Sequence, residues 1–471
     1  MSKRIPILQH IVNHIGVAVA SKFVPLASIF IYSRFMTVQD YGVLNLFVSY
    51  LWIFAIVMSL NMHTAIGRYI YSEGAEFDSF LTTSLMAIGS IYLIAGTIVL
   101  FYLDRFSLLL GLPSQVVILM LFVVLGQIAE SLFTQVAIFH QRSSHLLKVV
   151  SIKALLTFLL SFGLLHTMNN EKYLAVLYSD AAASLAILVY ALSSLLVSVR
   201  WSIRANHMRY IVSYALPLIP YMLCLTLLSQ FDRVMIDRYF GKEATGLYSL
   251  AYNIGILLPL VVTAVLNTFN PTFFDALNKK DYVRVVKESD NIFALAVMVT
   301  GILVLFGQEL AGIFIPEKYS SAFNLIPIVA IGGLCSVIFQ IWVRVITYVN
   351  RTILISIVAI IATATNLSLN YWLLPIAGYK IAALTTVIAY LMMSLGCVAM
   401  LNYVIRLFRV SVLPEMIYVI GLAAVTLFFQ SFDFGLLPAI TLKGTILVFL
   451  EWHLQAKLFA LVQSKKVGLT A

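Results

Sequence analysis

Charged side chains interrupt several long apolar stretches of the sequence, and these are the residues that could carry chemistry. The cations are Lys22, Arg233 and Arg344, and the acids are Glu130 and Asp180. In apolar surroundings a lysine or arginine can bind an anion such as phosphate, whereas a carboxylate can carry a proton or pair with a cation. We therefore treat the three cations as candidate substrate-binding residues and the two acids as candidate ion-coupling residues.

Three of the charges near predicted helix ends also have purely structural explanations. Arg344 and Lys153 lie close enough to an end for their side chains to reach the membrane surface. Arg233 can pair locally with Asp237, which follows it by four residues and so lies on the same helix face. For these residues the structural explanation and a role in binding both stay open.

Lys22 and Glu130 lie near the middle of their predicted helices. A charge at the bilayer centre costs at least about 2.5 kcal/mol, so each needs a water-filled cavity or a partner. The two side chains could neutralise each other, or they could act separately, Lys22 on an anionic ligand and Glu130 on an ion.

Sequence motifs for catalysis are not found in the chain. It contains no Walker A stretch, no H-E-x-x-H and no C-x-x-C. The three cysteines lie inside apolar runs and suggest neither a disulfide framework nor a metal site. We expect no enzyme, no cofactor and no metal.

Composition indicates which elements must hold these residues. Of the 471 residues 62% are hydrophobic and only 11% are charged, whereas a soluble domain carries roughly 25% charged residues. Apolar runs of spanning length follow each other closely, and only helices of this kind satisfy their own backbone in lipid. We predict an all-α polytopic membrane protein with about fourteen transmembrane helices. The predicted helices are residues 11–33, 42–62, 80–103, 115–139, 149–166, 174–197, 211–231, 247–270, 292–315, 323–349, 353–374, 381–402, 412–430 and 437–460.

Lysines and arginines test how these helices thread through the membrane. With both termini in the cytoplasm, most of the 30 basic residues fall in inside loops or at inside helix ends, as the positive-inside rule requires. The net charge of +10 then reflects topology and attraction to anionic membrane lipids, and no nucleic-acid partner is expected.

Two similar stretches, one in each half of the chain, interrupt the apolar pattern. "SRFMTVQDYGVLNLF" begins at Ser33 and "DRYFGKEATGLYSLA" at Asp237; superimposed without a gap, they share an arginine, a glycine and a leucine. We attribute the shared glycines, Gly42 and Gly246, to tight turns that need a positive φ. Both stretches follow odd-numbered predicted helices, so the internal repeat is parallel.

The repeat predicts two six-helix bundles followed by two further helices and a cytoplasmic tail. The predicted boundaries are 1–205, 206–405 and 406–471. Two bundles that rock against each other can give alternating access to a site at their interface, so such repeats favour a transporter.

Prolines occupy matching places in the two predicted bundles. Pro25 interrupts the first helix, and Pro217 and Pro220 interrupt the seventh. Interior prolines remove helical hydrogen bonds and kink helices. We predict that these three are gating residues.

Three stretches together resemble a known family. They are "SRFMTVQDYGVLNLF", "YALPLIPYMLCLTLLSQFDRVMIDRYFGKEATGLYSLAYNI" and "NLSLNYWLLPIAGYKIAALTTVIAYL". The chain resembles the polysaccharide-transport flippases, the O-antigen and capsule (Wzx-like) group of the multidrug, oligosaccharidyl-lipid and polysaccharide (MOP) exporter superfamily. The similar pieces are the acidic-aromatic-glycine turn, the mid-chain aspartate-arginine pair and the asparagine-to-glycine run. One departure is "GYKIAALTT", where the pattern leads us to expect a second glycine.

The resemblance implies a flippase of the bacterial inner membrane that moves a polyprenyl-pyrophosphate-linked oligosaccharide, such as an O-antigen or capsule repeat unit, to the periplasmic leaflet. Lys22, Arg233 and Arg344 would then hold the anionic pyrophosphate. A proton or sodium gradient acting through Glu130 or Asp180 could supply the energy, as could the cargo gradient alone. Partners implied by the resemblance are the lipid-linked glycan, anionic lipids, a polysaccharide polymerase and chain-length proteins.

Two alternative functions stay open. A multidrug or organic-cation exporter of the same superfamily would share the fold, but would favour an acidic interior over Lys22 and Arg344. A membrane polysaccharide polymerase or ligase would be an enzyme, which usually carries a large periplasmic loop, and the predicted outside loops are short.

Overall fold

The fold is that of a computed structural model, in which the described part of the chain is helical and contains no β-strand. The described residues are 27–73, 76–139, 143–196, 202–432 and 436–467. Lys22 and Pro25 lie outside them.

The chain divides into two compact units, Met1–Gly246 and Leu247–Ala471. The first contains α1 (27–35), α2 (Val38–Ser59), α3 (His63–Glu73), α4 (Phe77–Phe101), α5 (Leu103–Leu110), α6 (Ser114–Phe139), α7 (Ser143–Thr167), α8 (Tyr173–Leu196), α9 (Ala205–Ala215) and most of α10 (Ile219–Gly255). The second contains the end of α10, α11 (Leu257–Asn278), α12 (Tyr282–Phe314), α13 (Ser320–Phe323), α14 (Ile326–Tyr348), α15 (Thr352–Ala377), α16 (Ile381–Ala399), α17 (Leu413–Ser431) and α18 (Leu436–Val467).

Eleven helical segments of the described residues are long and apolar enough to cross a membrane. In chain order they correspond to the predicted helices two to seven and nine to thirteen. The predicted eighth helix, 247–270, overlaps the end of α10 and most of α11, and the predicted fourteenth coincides with α18. The predicted first helix lies largely outside the described residues. The predicted all-α polytopic fold is confirmed, while its division at 205/206 into six-helix bundles stays a prediction.

The first repeated motif builds the start of α2. The Thr37 hydroxyl accepts a hydrogen bond from the Asp40 N–H at 3.0 Å, and the Asp40 carboxylate accepts one from the Thr37 N–H at 3.3 Å. This capping box satisfies two of the N–H groups that have no partner within the helix. The residue of the second motif that is equivalent to Thr37 is Gly241, where α10 bends with a φ of 80°.

The repeated glycines bring α2 and α10 into direct backbone contact. A Cβ atom on Gly42 would collide with the carbonyl oxygen of Lys242, and one on Gly246 would collide with the carbonyl oxygen of Val38. The contact is symmetric because each of these carbonyls precedes a repeated glycine by four residues. Neither glycine has a positive φ; among the motif residues that conformation belongs to Gly241. The predicted turn role of Gly42 and Gly246 is therefore wrong, and close helix packing is the reason for them.

Prolines separate α9 from α10. A single 3-10 turn, Leu216–Leu218, contains Pro217, and Pro220 follows in the first turn of α10. The missing N–H groups explain why the α-helical pattern breaks here. The predicted interruption of the seventh helix by these prolines is present, and its role in gating stays a prediction.

Helices α6, α7 and α8 form one packed layer of the first unit. Gly126 on α6 lies so close to Ser184 on α8 that an added Cβ would approach the Ser184 carbonyl oxygen to 2.7 Å. Phe133, Val149 and Ile187 are buried between the same three helices. This packing determines where the charged side chains of the three helices, Glu130, Lys153 and Asp180, lie relative to one another.

In the second unit α14 is a central, largely buried helix that packs against α12 and α16. Buried polar side chains join α15 to α16, with the Thr385 hydroxyl donating to Asn370 at 2.5 Å. The Lys443 ammonium of α18 pairs with Glu309 of α12 at 2.5 Å, which holds the last helix against the unit.

Candidate functional site

Arg344 lies on α14 with its guanidinium group folded over an aromatic ring. Its Cζ atom is 3.7 Å from the centroid of Phe273, which is a close cation–π contact. Its Nε donates to the Ile341 carbonyl at 3.2 Å, and Nη1 donates to the Asn270 side-chain oxygen at 3.4 Å. The side chain is only 8% exposed, so it does not extend towards the surface.

Part of the Arg344 guanidinium has no partner among the described residues. Its Nη2 atom is buried and makes no hydrogen bond there, and no ion pair of Arg344 is found there. Glu288 attracts it electrostatically, but that carboxylate is bound by Arg284 at 2.8 Å. A buried cation with an unused donor can bind an anionic ligand.

Further polar side chains of α11 and α14, not selected from the sequence, extend from the Asn270–Arg344 contact. The Thr263 hydroxyl donates to the Gln340 side-chain oxygen at 2.7 Å, and the Asn270 amide donates to Asn267 at 3.4 Å. The available signal was the spacing of residues 263, 267 and 270, which recur at i, i+4 and i+7 and therefore lie on one face of the helix.

Arg233 lies on α10 in the first unit and is only 3% exposed. Its Nη1 donates to the Ser229 carbonyl at 3.0 Å and to Gln230 at 2.9 Å. The Asp237 carboxylate pairs with Lys242 at 2.7 Å, and a local pair of Arg233 with Asp237 stays a prediction. Arg233 and Arg344 belong to different units.

Glu130, Lys153 and Asp180 meet between α6, α7 and α8. The Lys153 ammonium pairs with the Glu130 carboxylate at 2.6 Å, and Asp180 lies within electrostatic range of both. The prediction that Lys153 reaches the membrane surface is wrong, because packing of the three helices turns its side chain to an acid. Lys153 is therefore bonded to one carboxylate, that of Glu130, and has a second one, that of Asp180, nearby.

The remaining predicted site residues divide into two groups. Lys22 and Pro25 lie outside the described residues. Pro217 and Pro220 mark the break between α9 and α10. In the described ranges no group of three or more histidine, cysteine or acidic side chains could hold a metal ion.

Comparison with known proteins identifies the family. The family model described as "Polysaccharide biosynthesis protein" matches residues 7–277, which is more than half of the chain. The chain belongs to this polysaccharide biosynthesis protein family. A curated relative, "Lsg locus putative protein 1" of Haemophilus influenzae, is 25% identical over 276 residues. That match covers 56% of this chain and 65% of the relative's length.

Solved structures with the same fold include two transporters of the MOP superfamily and a lipid II flippase. An inward-facing multidrug resistance MATE family transporter aligns with a TM-score of 0.65 and 11% identity, covering 88% of this chain and 98% of that one. The lipid II flippase MurJ, in an inward closed conformation, aligns with a TM-score of 0.59 and 13% identity, covering 91% and 99%. A MOP superfamily transporter from Pyrococcus furiosus aligns with a TM-score of 0.57 and 14% identity, covering 88% and 96%.

These similarities confirm the resemblance derived from the sequence motifs. This member of the polysaccharide biosynthesis protein family has the multi-span fold of membrane transporters. At such low identities the solved structures establish the fold alone, and they leave the cargo of this chain to be argued from its own residues.

Proposed function

We propose that the chain is a flippase of the bacterial inner membrane. Its cargo is a polyprenyl-pyrophosphate-linked oligosaccharide, an O-antigen or capsule repeat unit, which it moves from the cytoplasmic to the periplasmic leaflet by alternating access. The proposal is supported by membership of the polysaccharide biosynthesis protein family together with a transporter fold.

The observation that carries the proposal is the buried guanidinium of Arg344. A cation in a membrane-spanning helix is costly unless it meets a partner, and Arg344 has a buried Nη2 atom without one among the described residues. The planar fork of an arginine matches phosphate oxygens and can bind two of them at once. A pyrophosphate supplies such oxygens, whereas an organic cation would be repelled.

Lys22 and Arg233 are proposed as further residues that bind anionic groups of the cargo, each argued from its own place in the chain. For Lys22, which the sequence places near mid-membrane, Lys22→Arg should retain part of the transport, Lys22→Ala should lose nearly all, and Lys22→Glu should be worst. Glu130 and Asp180 are proposed as the ion-coupling acids, because both lie in the cluster around Lys153 between α6, α7 and α8.

Deletion of the gene tests the proposed function directly. The lipid-linked glycan of the strain should accumulate on the cytoplasmic side of the inner membrane, where added glycosidases reach it only in inverted vesicles. Complementation with the wild-type chain should move it to the periplasmic side. Unchanged sidedness of the glycan after deletion would contradict the proposal.

The same strains separate the alternative functions. An organic-cation exporter predicts that deletion raises the retention of cationic dyes and leaves the glycan in place. A polymerase or ligase predicts that single repeat units accumulate on the periplasmic side, because translocation would continue while chain growth or transfer stops.

A further inference from the structure

A row of uncharged polar side chains follows α11 and α14 in the second unit. Thr263, Asn267 and Asn270 are spaced at i, i+4 and i+7, so they lie on one face of α11. Thr263 and Asn267 are exposed and Asn270 is half-buried. Gln340 and Arg344, one helical turn apart on α14, contact this face through Thr263 and Asn270.

Such a face is poorly suited to lipid. Gln340 lies within the candidate span Ile326–Tyr348, and Thr263 lies inside the predicted eighth membrane helix. Hydrocarbon offers no hydrogen bonds to amides and hydroxyls, so this face must meet water or a polar ligand.

Several hydrogen-bonding groups on the face are unused among the described residues. Each amide side chain carries two N–H donors, and the amide nitrogens of Asn267 and Gln340 donate to no described residue. Pro271 adds an acceptor, because it has no N–H to give to the carbonyl of Asn267 four residues earlier. The face therefore offers both donors and acceptors.

We propose that this row, Thr263, Asn267, Asn270 and Gln340, is a glycan-binding track, with Arg344 at its end holding the pyrophosphate. The inference rests on the proposed function and names the part of the protein that contacts the sugars. A sugar hydroxyl is both donor and acceptor, which matches neutral amides and hydroxyls, whereas Arg344 matches phosphate.

The dimensions of the track fit this division. From Asn270 to Thr263 the rise along α11 is roughly 10 Å, which is longer than one pyranose ring. Arg344 contacts Asn270, so a pyrophosphate bound there would place the linked sugar at the first amide and further sugars towards Thr263.

Binding of two lipids, one with and one without the glycan, tests the polar row and Arg344 separately. The purified full-length chain in nanodiscs is titrated with undecaprenyl pyrophosphate and with the undecaprenyl-pyrophosphate-linked oligosaccharide extracted from the deletion strain. The double variant Asn267→Ala/Gln340→Ala should bind the glycosylated lipid at least about tenfold more weakly, since it loses two amide contacts. It should bind the sugar-free lipid as the wild type does, which also shows that it is folded.

Arg344→Ala should weaken binding of both lipids. Gln430→Ala removes an exposed amide of α17 that lies off the track and should change neither. If the wild type binds both lipids and the double variant keeps the wild-type ratio of their affinities, the track is overturned while the flippase stands. If the wild type binds neither lipid, the proposed function itself fails.

Discussion

Arg344 combines three features that rarely occur together in a soluble protein. It is buried, it stacks on Phe273, and one of its nitrogen atoms has no hydrogen-bond partner among the described residues. The stacking leaves the edge of the guanidinium plane, which carries the N–H groups, as the part that can meet a ligand. The geometry therefore favours recognition of a planar pair of oxygen atoms over a general electrostatic role.

The first prediction follows from the shape of this group. Arg344→Lys keeps the positive charge but loses the fork, so glycan export should fall by about tenfold, as expected for losing one hydrogen bond to a charged group. Arg344→Ala should fall further. Export is measured as surface glycan per molecule of chain in the membrane. Arg406→Lys, at an exposed position, is the matched control and should export normally.

The result that would count against this role is equal export by Arg344→Lys and the wild type. In that case a point charge would suffice. A loss of chain from the membrane, with export per molecule unchanged, would also assign Arg344 to structure.

The second prediction concerns Glu130 and Asp180, the two acids that lie near Lys153. Lys153→Ala leaves the Glu130 carboxylate without its partner and places it near Asp180, so the chain should become less abundant in the membrane. Removing the acid as well, in Glu130→Ala/Lys153→Ala, should restore abundance. The double-mutant coupling should be about 1–2 kcal/mol for a pair that is partly exposed.

If Glu130 or Asp180 couples transport to an ion, the response of transport to a proton gradient can also be measured. Asp180→Asn removes one titrating carboxylate, so the remaining transport should no longer respond to an imposed proton gradient. Asp275→Asn, an exposed acid in an ordinary helical pair with Lys279, should respond as the wild type does. Retained gradient dependence in Asp180→Asn would remove Asp180 from the coupling mechanism.

At the residue scale the sequence predicted which charges are unusual but not their partners. The sequence shows that Glu130 and Arg344 lie inside apolar runs, because this depends only on their position along the chain. The Glu130–Lys153 pair depends on how α6 and α7 are rotated, which the packing around residues such as Gly126 decides. Cross-helix contacts of this kind need the tertiary structure.

At the scale of elements, the contact between α2 and α10 explains the repeated motifs. Two helices can approach with their backbones touching only where no Cβ intervenes, as in membrane helix pairs built on small residues. The sequence revealed Gly42 and Gly246 as equivalent positions. It could not reveal that they face each other, because turn glycines and packing glycines look alike in one sequence.

The third prediction tests this contact. Gly42→Ala or Gly246→Ala should destabilise the chain by about 1–3 kcal/mol, because the new methyl group would collide with a backbone carbonyl that cannot move independently. Gly89→Ala is the matched control, since a Cβ there has no neighbour within 4 Å and alanine is the better helix former. Thermal unfolding in detergent measures both. Equal stability of Gly42→Ala and Gly89→Ala would contradict the close contact.

The fourth prediction concerns the break between α9 and α10. Replacing Pro217 and Pro220 with alanine supplies the missing N–H groups and should straighten the chain through the 3-10 turn Leu216–Leu218. We expect slower export at normal abundance if the break lets the helix bend during transport. Pro113→Ala, just before α6, is a control outside this break. An unchanged export rate would leave the prolines with a structural role only.

For the whole molecule, apolar run length predicted the order of the helices well, since eleven candidate spans of the described residues follow the predicted order. This signal accumulates over about twenty residues, so single errors average out. The threading indicated by the basic residues stays a prediction. The first compact unit ends at Gly246, a residue of the second repeated motif that packs on α2. The bundle boundary at 205/206, which the repeat suggested, stays a prediction.

The last prediction is the threading of the chain through the membrane. Contacts in the first unit bring alternate loops together, as an alternating topology requires. At one end Lys172 lies 5.9 Å from the Phe35 ring, and at the other Arg204 pairs with Glu76 at 2.5 Å. A reporter that is active only in the periplasm should therefore be active when fused after Lys172 or Lys242.

The same reporter should be inactive when fused after Arg204 or Lys280, where a cytoplasmic reporter should fluoresce. The physical reason is that the excess of lysine and arginine keeps those loops on the cytoplasmic side. The two fusion positions on each side of the membrane control for each other, because one local folding defect cannot reverse the reporter signals at both. Reversed signals at either pair of positions would break the fourteen-helix topology, and with it the direction of transport proposed for the cargo.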